Sequence, residues 1–152
     1  MSVDGPLAPL VGRRVTGARL RAGSHLMVDL DAGFLWIGDA AWRITHGAQG
    51  LAANEDDHDR IRSAAGRLVG GLVDAAVVDE PLLDLRLAVG PVTVTVFPCA
   101  SATDPDNYDV LHWAAWTPDD RIVTATVGGL RILPGSDPTM AARRAFMETR
   151  TG

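Results

Sequence analysis

Leu83-Asp84-Leu85-Arg86-Leu87-Ala88-Val89-Gly90-Pro91-Val92-Thr93-Val94-Thr95-Val96-Phe97 decides the fold class. Leu83, Leu85, Leu87 and Val89 alternate with Asp84, Arg86 and Ala88. Val92, Val94 and Val96 then alternate with Thr93, Thr95 and Phe97. A period of two puts every apolar side chain on one face of an extended chain. Gly90-Pro91 breaks the pattern between the two runs. Gly supplies the positive φ that a tight hairpin turn needs, and the missing N–H of Pro91 costs little there.

The same plan occurs upstream. Leu26, Val28 and Leu30 alternate with Met27, Asp29 and Asp31, Gly33 marks a turn, and Phe34 to Ile37 forms the next strand. Leu10-Val11-Gly12 recurs as Leu68-Val69-Gly70, Val15 as Val73 and Ala18 as Ala76, all at an offset of 58. After a one-residue deletion, Leu30-Asp31-Ala32-Gly33 aligns with Leu87-Ala88-Val89-Gly90. Two copies of this length point to a duplicated domain, not a solenoid. Beyond the matched part the copies diverge. The first continues as a short strand, Ala41 to Thr45. The second has a hairpin, with Asp109 to Trp116 running up, Thr117-Pro118-Asp119-Asp120 turning and Arg121 to Val127 returning.

Helix is scarce. Residues Asn54 to Leu68 combine an Asn54 cap, an acidic first turn and an Ile61, Ala64, Ala65, Leu68 stripe. A second helix is expected from an Asp137 cap with Pro138 at the first helical position, followed by Thr139 to Arg150. Its apolar face is weak, so loose docking is expected. The expected fold is all-β with minor α. Two related antiparallel β-meander halves pack as a sandwich or partly closed barrel, with a helix near 54–66 and a short C-terminal helix. Residues 1–134 are expected to form one domain from repeats 9–46 and 67–130, with 135–152 a C-terminal tail or short helix.

Composition excludes several functions. The chain has 152 residues and a net charge of −5, and all 14 of its basic residues are Arg. Without Lys there is no Schiff-base lysine, no Walker-A phosphate loop and no Ser–Lys dyad. Cys99 is the single cysteine, so neither an intramolecular disulfide nor a cysteine-based zinc site can form. The N-terminal residues show no secretory signal pattern, and no apolar run approaches the roughly 20 residues of a membrane span. A cytoplasmic protein is expected. Scattered Arg on an acidic chain argues against nucleic acid, which needs a concentrated basic face.

The Leu-Val-Gly-x-x-Val opening, its repetition, and a Trp-containing strand closed by Thr117-Pro118-Asp119-Asp120 resemble a family of small uncharacterised actinobacterial domains. The likeness covers roughly residues 9 to 130. It implies a compact, mostly β domain and no assigned activity. In size, acidity and lack of a catalytic signature the chain also resembles bacterial toxin-immunity proteins.

Residues Cys99 to Asp109 interrupt the strand pattern with a polar stretch that the first copy lacks. Long loops often carry function, although a solvated connection is the plain alternative. Asp104, Asp106 and Asp109 with Tyr108 would present an acidic surface. On the next strand, alternation puts Tyr108, Val110, His112, Ala114 and Trp116 on one face. The leading expectation is a non-catalytic, immunity-like binding protein that meets a basic protein partner through Asp104, Asp106, Tyr108, Asp109, His112 and Trp116. The alternative is a small enzyme or small-molecule binder whose barrel-mouth pocket uses His112 with Asp104 or Asp106 for proton transfer. Self-association through an exposed edge strand is a third option. No cofactor and no metal site is expected. Asp57, His58 and Asp59 diverge on a helix, Asp104-x-Asp106 lacks the rest of a calcium loop, and Cys99 has no activating neighbour in the sequence. His25 and His46 sit in turn-like settings and suggest no constellation, while Trp36 and Trp42 read as core or rim packing.

Overall fold

The computed structural model describes residues 5–21, 23–98 and 110–150. A short 3-10 turn, Ala8–Leu10, precedes β1 (Val15–Arg21), β2 (His25–Leu30), β3 (Phe34–Ile37), β4 (Ala41–His46) and β5 (Gln49–Ala53). Helix α1 (His58–Gly66) follows, and then β6 (Val73–Asp79), β7 (Asp84–Val89) and β8 (Val92–Phe97). The chain ends with β9 (Leu111–Thr117), β10 (Arg121–Thr126), β11 (Gly129–Pro134) and α2 (Pro138–Glu148).

The strands form two antiparallel sheets, in the orders β1-β2-β3-β9-β10-β11 and β5-β4-β8-β7-β6. They stack as an open sandwich, not a closed barrel. The alternating residues explain the layering. Leu26, Val28, Leu35, Ile37 and Trp113 from the first sheet meet Ile44, Leu85, Leu87, Val94 and Val96 from the second in one buried core. Helix α1 contacts β1 and β5, the edge strands on one side of the two sheets. Ile61, Ala64 and Ala65 of α1 enter the core there and cover both edges.

Each sheet takes strands from both halves of the chain. The meander β1-β2-β3 is continued by β9 and β10, and the meander β6-β7-β8 by β4 and β5. Neither half therefore completes a layer by itself. The halves nevertheless repeat one hydrogen-bond plan. Val15 pairs with Leu30 beside a bulge in β1, and Val73 pairs with Val89 beside a bulge in β6. Leu30 therefore corresponds to Val89 and not to Leu87, as the sequence alignment has it. A two-residue slip leaves a period-two pattern unchanged, so alternation alone cannot detect it. The buried indoles match as well. Trp42 on β4 donates to the carbonyl of Ser24 at 2.9 Å, just before β2, and Trp113 on β9 donates to that of Leu83 at 3.0 Å, just before β7.

Some boundaries differ from those read in the sequence. Helix α1 is capped by Asp57, whose carboxylate accepts from the Arg60 amide, because Asn54 is engaged with the amide of Trp42. Strands β5 and β11 were not expected. Each is short, and β11 follows Val127-Gly128, which reads as a terminus. Asp137 caps α2 as expected, accepting from the Met140 amide. The docking of α2 is firmer than its sequence suggests, since Met140 is buried and Arg144 packs over aromatic rings.

Candidate functional site

The outer face of the six-stranded sheet is apolar. Leu26, Val28, Leu35 and Ile37 point into the sandwich, so the alternate residues Met27, Phe34 and Trp36 point outward. Ala114, Trp116 and Ile122 extend this patch across β9 and β10, and α2 lies over it. Met140 closes one end. The Arg144 guanidinium sits 3.8 Å from the Phe34 ring centre and 5.1 Å from that of Trp116. Phe34 and Trp116 meet edge to face at 5.4 Å. At the other end Glu148 and Asp29 grip the Arg19 guanidinium from opposite partners, α2 and β2. The hydrogen bonds from Arg19 hold the Glu148 carboxyl below its ordinary range, while the Glu148 and Asp29 bonds raise Arg19. Burial under the helix lowers Arg144.

Beside α2 a groove of about 410 Å³ remains open, with His25, Trp36 and Asp39 on one side and Arg143, Phe146 and Met147 on the other. The Trp36 indole N–H donates to His25 Nδ1 at 2.9 Å. An indole nitrogen can only donate, so Nδ1 carries no proton and the His25 proton is on Nε2. That Nε2 lies 3.3 Å from Asp39 Oδ1 and donates to it. Both ring nitrogens are thus engaged. Trp36 is 3% exposed and the Asp39 side chain 64%, so the chain of groups runs from the buried sheet to the groove lip.

Asp39 also holds a second histidine. Its carbonyl accepts from His112 Nδ1 at 2.9 Å, and its amide donates to the Leu111 carbonyl. A carbonyl only accepts, so Nδ1 of His112 carries the proton. Gly38 permits this approach. A Cβ there would stand 2.6 Å from the Leu111 carbonyl oxygen. His112 itself is buried, 3% exposed, and lines a cavity of about 250 Å³ with Leu83, Asp84, Pro98, Thr126 and Val127.

The sequence-derived site divides accordingly. Cys99, Asp104, Asp106, Tyr108 and Asp109 lie outside the described residues. His112 lines the cavity of about 250 Å³, whereas Trp116 lies against Arg144 of α2. Trp113 pairs with Ala125 and Leu111 with Thr126, so His112 is the extra residue of a bulge. The bulge resets the alternation, and Leu111 takes the place beside Ala114 on the outer face. Trp116 is half-buried under α2. The Asp39–His25–Trp36 chain was missed. Its signal was present in the pairing of Met27 with Trp36, which sets His25 diagonally across from the indole.

Among the described residues, no group of three His, Cys, Asp or Glu side chains could hold a metal ion. No described helix is long and apolar enough to cross a membrane. Comparison of the chain with family models, curated proteins and solved structures returns no match.

Proposed function

We propose that the protein is a non-catalytic, immunity-like binding protein of the cytoplasm that engages a basic segment of a protein partner through the groove beside α2. The observation that carries this reading is the disposition of His25 and Asp39. Trp36 and Asp39 engage both ring nitrogens of the neutral His25, so the ring is tied into a structural hydrogen-bond chain. Asp39 meanwhile offers an exposed carboxylate at the groove lip, opposite Phe146, which is 57% exposed. This is an acidic–aromatic surface of the kind expected from the sequence, built from other residues. The Asp39 carboxylate suits an arginine or lysine set among apolar residues, and the net charge of −5 favours the approach of such a partner, while Phe146 already carries Arg150 over its ring at 4.3 Å and Arg143 lines the wall opposite Asp39.

The test uses two peptides, acetyl-Leu-Arg-Leu-Arg-amide and its counterpart with Glu in place of Arg. The Arg peptide should shift the Trp36 indole resonance of the ¹⁵N-labelled protein, and Asp39→Asn should remove the shift. Absence of a shift, or equal shifts from both peptides, overturns the reading.

One observation favours a second reading, a small-molecule binder or enzyme. His112 and Asp84 line the same cavity. That reading requires a small ligand to protect His112 from ethoxycarbonylation by diethyl pyrocarbonate.

A further inference from the structure

We propose that the groove is proton-gated, with His25 as the switch and Trp36 and Asp39 as its two outputs. The inference rests on the binding reading above and names the regulation of that site.

The hydrogen-bond directions leave one assignment for the neutral ring. Trp36 N–H can only donate, so His25 Nδ1 accepts and Nε2–H faces Asp39. Imidazole is the side chain that ordinarily changes charge between pH 5 and 8. A proton arriving on His25 can only settle on Nδ1. Two N–H groups then face one another across 2.9 Å, and the indole loses its acceptor. Trp36 is buried, and a buried donor without a partner is unfavourable. The indole or the helix over it must therefore shift. Phe146 and Met147 of α2 form the wall that would move.

The second output is electrostatic. With His25 neutral, Asp39 presents a full negative charge to the groove. With His25 cationic, the imidazolium at 3.3 Å neutralises that carboxylate. A basic segment then loses its counter-charge and meets a positive ring. The other charged groups around His25 are Arg21, opposite it on β1, and Arg143 on α2. Glu148 of α2 lies within 3.8 Å of Arg21 and offsets its charge. Acidification should thus release the partner.

The sequence context explains why this pairing is local to one half. The counterpart of His25 at the start of β7 is Asp84, and β8 carries Thr95 opposite Arg86 where β3 carries Trp36 opposite Met27. The second half holds no imidazole–indole pair at this place.

The experiment follows the four indole resonances of ¹⁵N-labelled protein from pH 8 to 5, alongside the binding of acetyl-Leu-Arg-Leu-Arg-amide. The Trp36 signal should move with the same midpoint as the His25 ring carbons. Peptide affinity should fall about fivefold or more across that range. In His25→Asn both should be flat, with the Trp42 and Trp113 indole signals unchanged as evidence of a native fold. A Trp36 signal that stays fixed while His25 titrates overturns the switch, whatever the peptide does. A Trp36 signal that titrates without peptide binding at any pH sustains the switch and overturns the binding reading. Peptide affinity that falls equally in His25→Asn overturns the gating.

Discussion

Gly12 donates its amide hydrogen to the carbonyl of Val73, and Gly70 donates its own to the carbonyl of Val15, each over 2.8 Å. The exchange is reciprocal at the offset of 58 that relates the two Leu-Val-Gly runs. Val15 in turn donates to Gly71 and Val73 to Arg13, and the isolated bridge between Arg14 and Leu72 lies at the centre. The beginnings of the two halves are therefore stitched to each other about a local twofold axis. Both glycines hold positive φ, 86° and 92°, with open space where a Cβ would project.

Gly12→Ala and Gly70→Ala should consequently cost the same, about 1–2 kcal/mol each, from left-handed backbone strain alone. Urea denaturation of the two variants checks this. A large difference between them would mean that the stitch is loaded on one side.

Trp42→Phe and Trp113→Phe should also behave as a matched pair. Each removes the N–H that satisfies a backbone carbonyl, part-buried at Ser24 and buried at Leu83. A stranded carbonyl costs about 1–3 kcal/mol, before the space left by the smaller ring is counted. Chemical denaturation reads both, and a negligible loss in either would show that its carbonyl finds another donor.

Gly38→Ala should lower stability by about 1–3 kcal/mol, because the new methyl meets the Leu111 carbonyl oxygen. The same displacement should loosen the contact between Asp39 and His112. The His112 ring resonances report on it directly, and an unchanged His112 environment would contradict the close approach.

The docking of α2 should weaken in acid. Arg19 holds the Glu148 carboxyl below its ordinary value. A carboxyl depressed in the folded state adds stability that is complete above the ordinary Glu value of about 4.3. That stability is lost as pH falls through the folded value. Trp116 fluorescence under Arg144 should therefore change below about pH 4. In Glu148→Gln the acid step should vanish and the helix should be looser at neutral pH.

Much of the layering was legible because alternation is a direct image of a half-buried strand. Leu26, Val28 and Leu30, and Leu85, Leu87 and Val89, are buried as their spacing requires. Pairing partners were less legible. Nothing local in Phe34–Ile37 says that it lies beside Leu111–Thr117, about eighty positions away, and not beside Ala41–His46. The setting of His112 was illegible for a sharper reason. One bulge residue inverts the alternation, and a bulge is set by the partner strand and leaves no mark in its own. His25 and Asp39 looked unremarkable because His25 starts a strand and Asp39 lies in the bend after one, where only the hairpin register brings them together.

The strand exchange has a consequence for the order in which the molecule can mature. The five-stranded sheet has all its members once Phe97 has been added, because β4 through β8 are consecutive. The meander β1-β2-β3 is made first but is completed last, since β9, β10 and β11 come at the far end of the chain. During synthesis the open flank of β3, whose four residues are all destined for burial, stays without its neighbour until Leu111 to Thr117 emerge from the ribosome. The earliest strands are thus the ones most in need of a chaperone, and slowing translation within residues 98–110 would prolong their exposure.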